Sequence, residues 1–229
     1  MEGKLPSPIK ALLWDIDGVL VDTEELHFRS WNWFLSTMKV GELTREEYLP
    51  LIGRSGRDNM QTICQMRNIA GNIDDLIKVR RSEYERLRLE GVPVIRKNVE
   101  LARAFADLFL GLRFAAVSSA SRTDIDSNLE AAGLVNFFEQ AVSFTDRKEL
   151  KRKPAPDLYL LTLEKMSLDA DACIAFEDSQ SGIESATNAG IRVVALPNLL
   201  TAHHDFSKAR LVIAQEESIH PLNILARVI

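Results

Sequence analysis

Cysteine is scarce in this 229-residue chain: only Cys64 and Cys173 occur, far apart and without CxxC spacing. That argues against a disulfide framework or a cysteine metal site and fits two reduced thiols in a reducing cytosol. Long hydrophobic runs are missing too. No apolar stretch approaches the ~18 residues of a membrane span, and Met1 to Lys10 holds no signal-peptide core. Positive charge is not in excess. With 28 Lys+Arg against 33 Asp+Glu the formal net charge is −5, which leaves no electrostatic footprint for nucleic acid. There is no internal repeat and no low-complexity segment. The expectation is a soluble, cytoplasmic monomer that engages neither nucleic acid nor membrane.

What is present is an alternation of two periodicities. Short apolar or β-branched runs at Ala11–Trp14, Arg113–Val117, Gln140–Ser143, Ala172–Phe176, Arg192–Ala195 and Leu211–Ile213 read as strands. Amphipathic helices at Asn98–Phe109, Ser121–Ala132, Pro154–Met166 and Ser179–Ala189 lie between most of them. Strands alternating with helices predict an α/β fold, a Rossmann-like parallel sheet with helices on both faces. Ligands collect at the carboxyl ends of the strands in such sheets. The region after the first strand differs. Thr23–Met38, Thr44–Leu51, Ser55–Asn68 and Ile73–Leu89 all read as helices, with no strand among them. Residues 23–91 are therefore expected to form an inserted all-helical cap, and residues 1–22 and 92–229 the α/β core.

The chemistry gathers at the predicted strand ends. The first strand stops at Asp15-Ile16-Asp17-Gly18, two carboxylates two residues apart where water is being excluded. Such groups need a cation, a proton or several hydrogen bonds. After Val117 comes Ser118-Ser119-Ala120-Ser121, opening a helix; this suits an anion seat, although serines here can simply be caps. Lys153 precedes Pro154, read as the start of a helix that would hold the ammonium toward the site; the plain alternative is a solvated basic turn. Finally Glu177-Asp178 follows Phe176, so up to four carboxylates can converge. A hard divalent cation resolves that repulsion, and Mg²⁺ suits it.

Taken together, Asp15-Ile16-Asp17-Gly18, Ser119, Lys153 and Glu177-Asp178 resemble the four motifs of the haloacid dehalogenase-like superfamily, in the phosphatase branch with a helical cap. The resemblance implies Asp15 as nucleophile, Asp17 as acid/base, and Ser119 and Lys153 with the backbone around Ala120 as phosphoryl holders. It also implies a Mg²⁺ site drawn from Asp15, Asp17 (by its backbone carbonyl), Glu177 and Asp178. Dehalogenases of the superfamily lack the second aspartate, so Asp17 favours phosphoryl transfer. The substrate implied is a small phosphorylated metabolite.

Within that branch, Glu24-Glu25-Leu26-His27-Phe28-Arg29-Ser30-Trp31 resembles the cap start of CbbY-type sugar-phosphate phosphatases and of β-phosphoglucomutase. Arg45-Glu46-Glu47-Tyr48 and Pro197-Asn198-Leu199-Leu200-Thr201-Ala202-His203-His204-Asp205-Phe206 look more like the former. Glu24 and His27 are accordingly candidate substrate contacts, with a packing role for His27 equally open. Arg57 and Arg81 are candidates for a second anionic group, although charges on helix faces are commonly just solvated. Two departures stand out. Arg96-Lys97-Asn98 replaces the Arg-Pro-Gly turn common in relatives, and Trp14 replaces a smaller aromatic, which we read as core packing.

Overall fold

The computed structural model describes residues 9–229. Six short strands, β1 (Ala11–Trp14), β2 (Arg113–Ser118), β3 (Gln140–Ser143), β4 (Cys173–Glu177), β5 (Arg192–Ala195) and β6 (Leu211–Val212), form one sheet in the order β3-β2-β1-β4-β5-β6. Every pairing is parallel. The predicted strands all form, with ends shifted by one residue in β2, β4 and β6. β1 and β4 are buried along their whole length, which explains runs of apolar residues in place of alternation.

Both faces of the sheet are covered. Leu13, Ala115 and Ala175 share a core with Leu158 and Tyr159 of α7 (Asp157–Met166) and Ile183 of α8 (Gln180–Asn188). On the opposite face Trp14 stacks on Phe176 at 4.0 Å, and Phe105 of α5 (Arg96–Leu108) meets that Phe176 edge-on. A side-chain period of two sends Leu13 and Trp14 to opposite faces. The Arg96-Lys97-Asn98 departure is accommodated: Asn98 is buried and its amide donates to the Val19 carbonyl at 2.8 Å, tying α5 to the loop after β1.

Residues Asp22–Pro93 form a second compact unit. It contains α1 (Glu24–Thr37), α2 (Arg45–Tyr48), α3 (Gly56–Arg67) and α4 (Ile73–Glu90), built around Trp31, Phe34, Leu35, Tyr48, Met60 and Ile63. Its two ends meet, the Asp22 N–H donating to the Pro93 carbonyl at 2.8 Å. Local signals set the helix starts: Thr44 and Glu47 make a capping box at α2, and the Asn72 side chain accepts two N–H groups of α4.

Three sequence expectations need adjustment. The helix expected from Pro154 begins at Asp157, and Lys153–Pro154 is a cis peptide in the preceding turn. A helix not anticipated, α9 (Pro221–Val228), follows β6 and contacts α5. Finally, α5 starts two residues before the predicted Asn98. Both cysteines are free and buried. No helix among the described residues is long and apolar enough to cross a membrane.

Candidate active site

The strand order reverses at β1, with β2 reached on one side and β4 on the other, so the crevice at the carboxyl ends of β1 and β4 is the switch point. Trp14 pairs in register with Phe176, and the Asp15 N–H donates to the Phe176 carbonyl at 3.0 Å. Asp15 and Glu177 therefore end neighbouring strands at the ~4.8 Å ladder spacing. One ligand oxygen each from Asp15, Glu177 and Asp178 can be chosen so that all lie within 4.8 Å of one another, and all three residues are buried.

Lys153 reaches into this cluster. Its Nζ donates to Asp15 Oδ1 at 2.6 Å, Glu177 Oε1 at 2.7 Å and the Val117 carbonyl at 3.0 Å, which uses all three ammonium protons. The Tyr159 hydroxyl also donates to Glu177 Oε1. Burial, reinforced by the Glu177 charge, pushes the Asp15 carboxyl up to about 8 in spite of Lys153. Burial works against the Lys153 ammonium as well, but the Asp15 and Glu177 carboxylates outweigh it and raise its pKa. Tyr159 is pushed up by burial first and by the Glu177 charge second, so it stays a donor.

A cation fits these residues. Glu177 Oε2 is buried and has no hydrogen-bond donor, an expensive state for a carboxylate oxygen. Two glycines make room for the acids. A Cβ at residue 182 would lie 1.9 Å from Glu177 Oε2, and one at residue 18 would lie 2.2 Å from Asp178 Oδ2. Gly18 also has φ +85, which favours glycine on its own account. Three buried carboxylates, two of them paired with one ammonium, form the hard oxygen donor set that a divalent cation takes.

Asp17 stands apart from that set. Its carboxylate accepts from Ser118 Oγ at 2.8 Å and Asn128 Nδ2 at 3.0 Å, and both donors are fully buried. The metal role expected of Asp17 concerns its backbone carbonyl, which these side-chain bonds do not involve. Ser119 lies one residue past β2, with Oγ 3.4 Å from the Lys153 N–H and its carbonyl accepting from Arg152. The Ala120 N–H donates to Ser118 Oγ at 2.9 Å. Ser118, Asn128, Tyr159 and Asn198, whose amide donates to Asp178 Oδ2 at 2.9 Å, were not singled out as site residues from sequence. The available signal for Asn128 was its place one turn after Asp124, the two polar residues sharing a helix face with Ile125 and Leu129.

The remaining predicted contacts belong to the helical unit. His27 stacks on Tyr84 at 4.1 Å, and its Nδ1 lies 3.2 Å from an Arg80 nitrogen. Burial and the charges of Arg80, Arg81 and Arg88 hold its pKa well below the usual value. Glu24 accepts from the Tyr48 hydroxyl at 2.6 Å. Arg81 pairs with Glu85 and lies over Tyr84, whereas Arg57 is exposed and pairs with Asp74.

Comparison with known proteins bears on this geometry directly. Residues 12–196 match the haloacid dehalogenase-like hydrolase model, a span from β1 to just beyond β5 that contains Asp15, Asp17, Ser119, Lys153, Glu177 and Asp178. The chain is 32% identical to protein CbbY of Rhodobacter capsulatus over 217 residues, covering 88% of this chain and 91% of that protein. It is 29% identical to the β-phosphoglucomutase of Mycobacterium bovis, covering 83% and 81% of the two chains. A crystal structure of mutant CbbY from Rhodobacter sphaeroides in complex with xylulose-(1,5)bisphosphate matches with a TM-score of 0.74 at 25% identity, covering 90% of this chain and 93% of that one. The switch-point acids, the parallel sheet and the family match agree, and the chain belongs to the haloacid dehalogenase-like hydrolases.

Proposed function

We propose that the protein is a Mg²⁺-dependent phosphatase that hydrolyses a small phosphorylated metabolite, a sugar phosphate or bisphosphate, through an aspartyl-phosphate on Asp15. The observation that carries this reading is the buried cluster of Asp15, Glu177 and Asp178, with Lys153 paired to the first two and Asp17 held separately. Asp15 attacks phosphorus in line as the bond to the ester oxygen breaks. Asp17 exchanges its bonds to Ser118 and Asn128 for one to the substrate, protonates the leaving oxygen, and then takes a proton from the water that hydrolyses the acyl phosphate. Lys153, exchanging one of its three bonds for one to the substrate, holds the phosphoryl oxygens together with Ser119 and the backbone near Ala120. Asp15, Asp178 and the Asp17 carbonyl, with Glu177 alongside, would hold Mg²⁺, which offsets negative charge between nucleophile and phosphate when bound.

The helical unit is proposed to choose the substrate. Arg80, Arg81 and Arg88 all lie within 5.7 Å of the Tyr84 ring, a concentration of positive charge suited to a second anionic group. Arg81, with Glu24 and His27, is therefore preferred to Arg57. The likeness to CbbY, one homologue of which binds xylulose-(1,5)bisphosphate, supports a bisphosphate. The likeness to β-phosphoglucomutase supports a second reading, a phosphosugar mutase. Both are tested with a panel that includes ketose 1,5-bisphosphates and β-glucose 1-phosphate. Release of inorganic phosphate supports the phosphatase, and isomer exchange without release supports the mutase. Asp15→Asn should lower turnover by more than about 10³-fold; undiminished turnover refutes the mechanism.

A further inference from the structure

The segment after β5 was set apart in the sequence by its likeness to the CbbY group, and the chemistry above does not use it. Its second residue is Asn198, whose side chain is fixed on both sides. Its Oδ1 accepts the N–H groups of Leu200 at 2.9 Å and Thr201 at 3.1 Å. Its own N–H donates to Thr201 Oγ1 at 3.1 Å, and Thr201 is buried. Backbone N–H groups only donate, so the amide cannot turn over without losing two bonds. Nδ2 is thereby directed to Asp178 Oδ2 at 2.9 Å and to the Gly18 carbonyl at 3.3 Å.

We propose that Asn198 is a positioning residue for the metal site: one amide, locked by its own turn, sets the orientation of the Asp178 carboxylate and joins the end of β5 to the loops after β1 and β4. Gly18 packs against the same carboxylate, nearest the oxygen that Asn198 bonds, where even a methyl group would not fit. An amide suits the task better than a lysine or arginine. It directs a carboxylate by hydrogen bonding and brings no positive charge to repel a divalent cation.

This inference rests on the reading of the acidic cluster as a Mg²⁺ site, and calorimetric titration of Mg²⁺ into metal-free protein separates the two. If the unaltered protein binds no Mg²⁺, both fail. Asn198→Ala should weaken Mg²⁺ binding by about 10- to 100-fold, while activity at saturating Mg²⁺ falls much less. Thr201→Val loosens the same turn yet keeps both Nδ2 donations, so it should lower the melting temperature with Mg²⁺ affinity retained. Should Asn198→Ala fail to fold, Asn198→Ser, too short to reach Asp178, takes its place with the same expected loss. Equal Mg²⁺ affinity in the Asn198 variant and the unaltered protein overturns the proposal, and so does an equal loss of affinity in Thr201→Val.

Discussion

Lys153 is the counter-charge of a buried acidic cluster, and replacing it with methionine measures what that is worth. The ammonium makes three hydrogen bonds, two of them to carboxylates, from a side chain only 7% exposed. Methionine keeps an unbranched chain of similar volume and leaves Asp15 and a fully buried Glu177 without their cation. Breaking a buried pair on one side costs about 3–5 kcal/mol, and for a chain of this length each kcal/mol lowers Tm by about 2–4 °C. The expected loss is on the order of 10 °C in metal-free protein.

The sign of its pH dependence follows from linkage. Asp15 is pushed up to about 8 even with Lys153 present, so the folded state binds a proton that the unfolded state has released from about pH 4 upward. Removing the ammonium extends that range upward, so the deficit of the variant should grow from about pH 7, below the Asp15 value, to about pH 9.5, above it. Urea unfolding followed by circular dichroism in EDTA, at both pH values, gives the two differences. A deficit below about 1 kcal/mol, or one equal at both pH values, would refute Lys153 as the charge that balances the site.

Three other outcomes follow from the same geometry. Since the folded Asp15 carboxyl is raised, metal-free stability should fall as pH rises from about 4 to about 8, and the thermal shift on adding Mg²⁺ should be larger at the upper end; scanning calorimetry with and without Mg²⁺ checks this. Gly182→Ala sets a methyl group against Glu177 Oε2, whose carboxylate Lys153 and Tyr159 hold in place, so it should cost about 1–3 kcal/mol and weaken Mg²⁺ binding, both read by chemical denaturation and calorimetric titration. His27 should stay neutral well below the pH at which an ordinary imidazole takes up its proton, and Arg80→Met should raise its pKa; the imidazole proton shifts in NMR report both.

Much of the fold was legible because apolar periodicity and burial agree. β1, β3 and β5 fall on their predicted residues, as their runs are short, apolar or β-branched, and bounded by turns. The start of α7 was misplaced for an identifiable reason. Pro154 and Pro156 both resemble first-turn prolines, but the chain makes a separate turn before Asp157. The acids of the site stood out in the sequence because charge at the end of an apolar strand is anomalous. Their supporting residues did not. Ser118 could not be told from Ser119 by type, and Asn128, Tyr159 and Asn198 gain meaning only when β2, α6 (Arg122–Ala131), α7 and the segment after β5 are brought to one crevice. In the helical unit Arg57 and Arg81 were chosen from a field of similar residues, and Arg80, buried against His27 and Trp31, was passed over.

The stack of Trp14 on Phe176 bears on how the site endures its own repulsion. Each ring belongs to the residue just before an acid, and the two lie nearly parallel, 5° apart. Once Asp15 gives up its proton, like charges at the strand tips act to spread β1 from β4; Lys153 clamps the tips, and the rings beneath them hold the strands together by dispersion and excluded water. The electrostatic stress of the crevice is thus shared with the dry side of the sheet. Shrinking Trp14 would loosen the carboxylates from behind, which makes a wholly buried apolar residue a control point for a polar site it never touches.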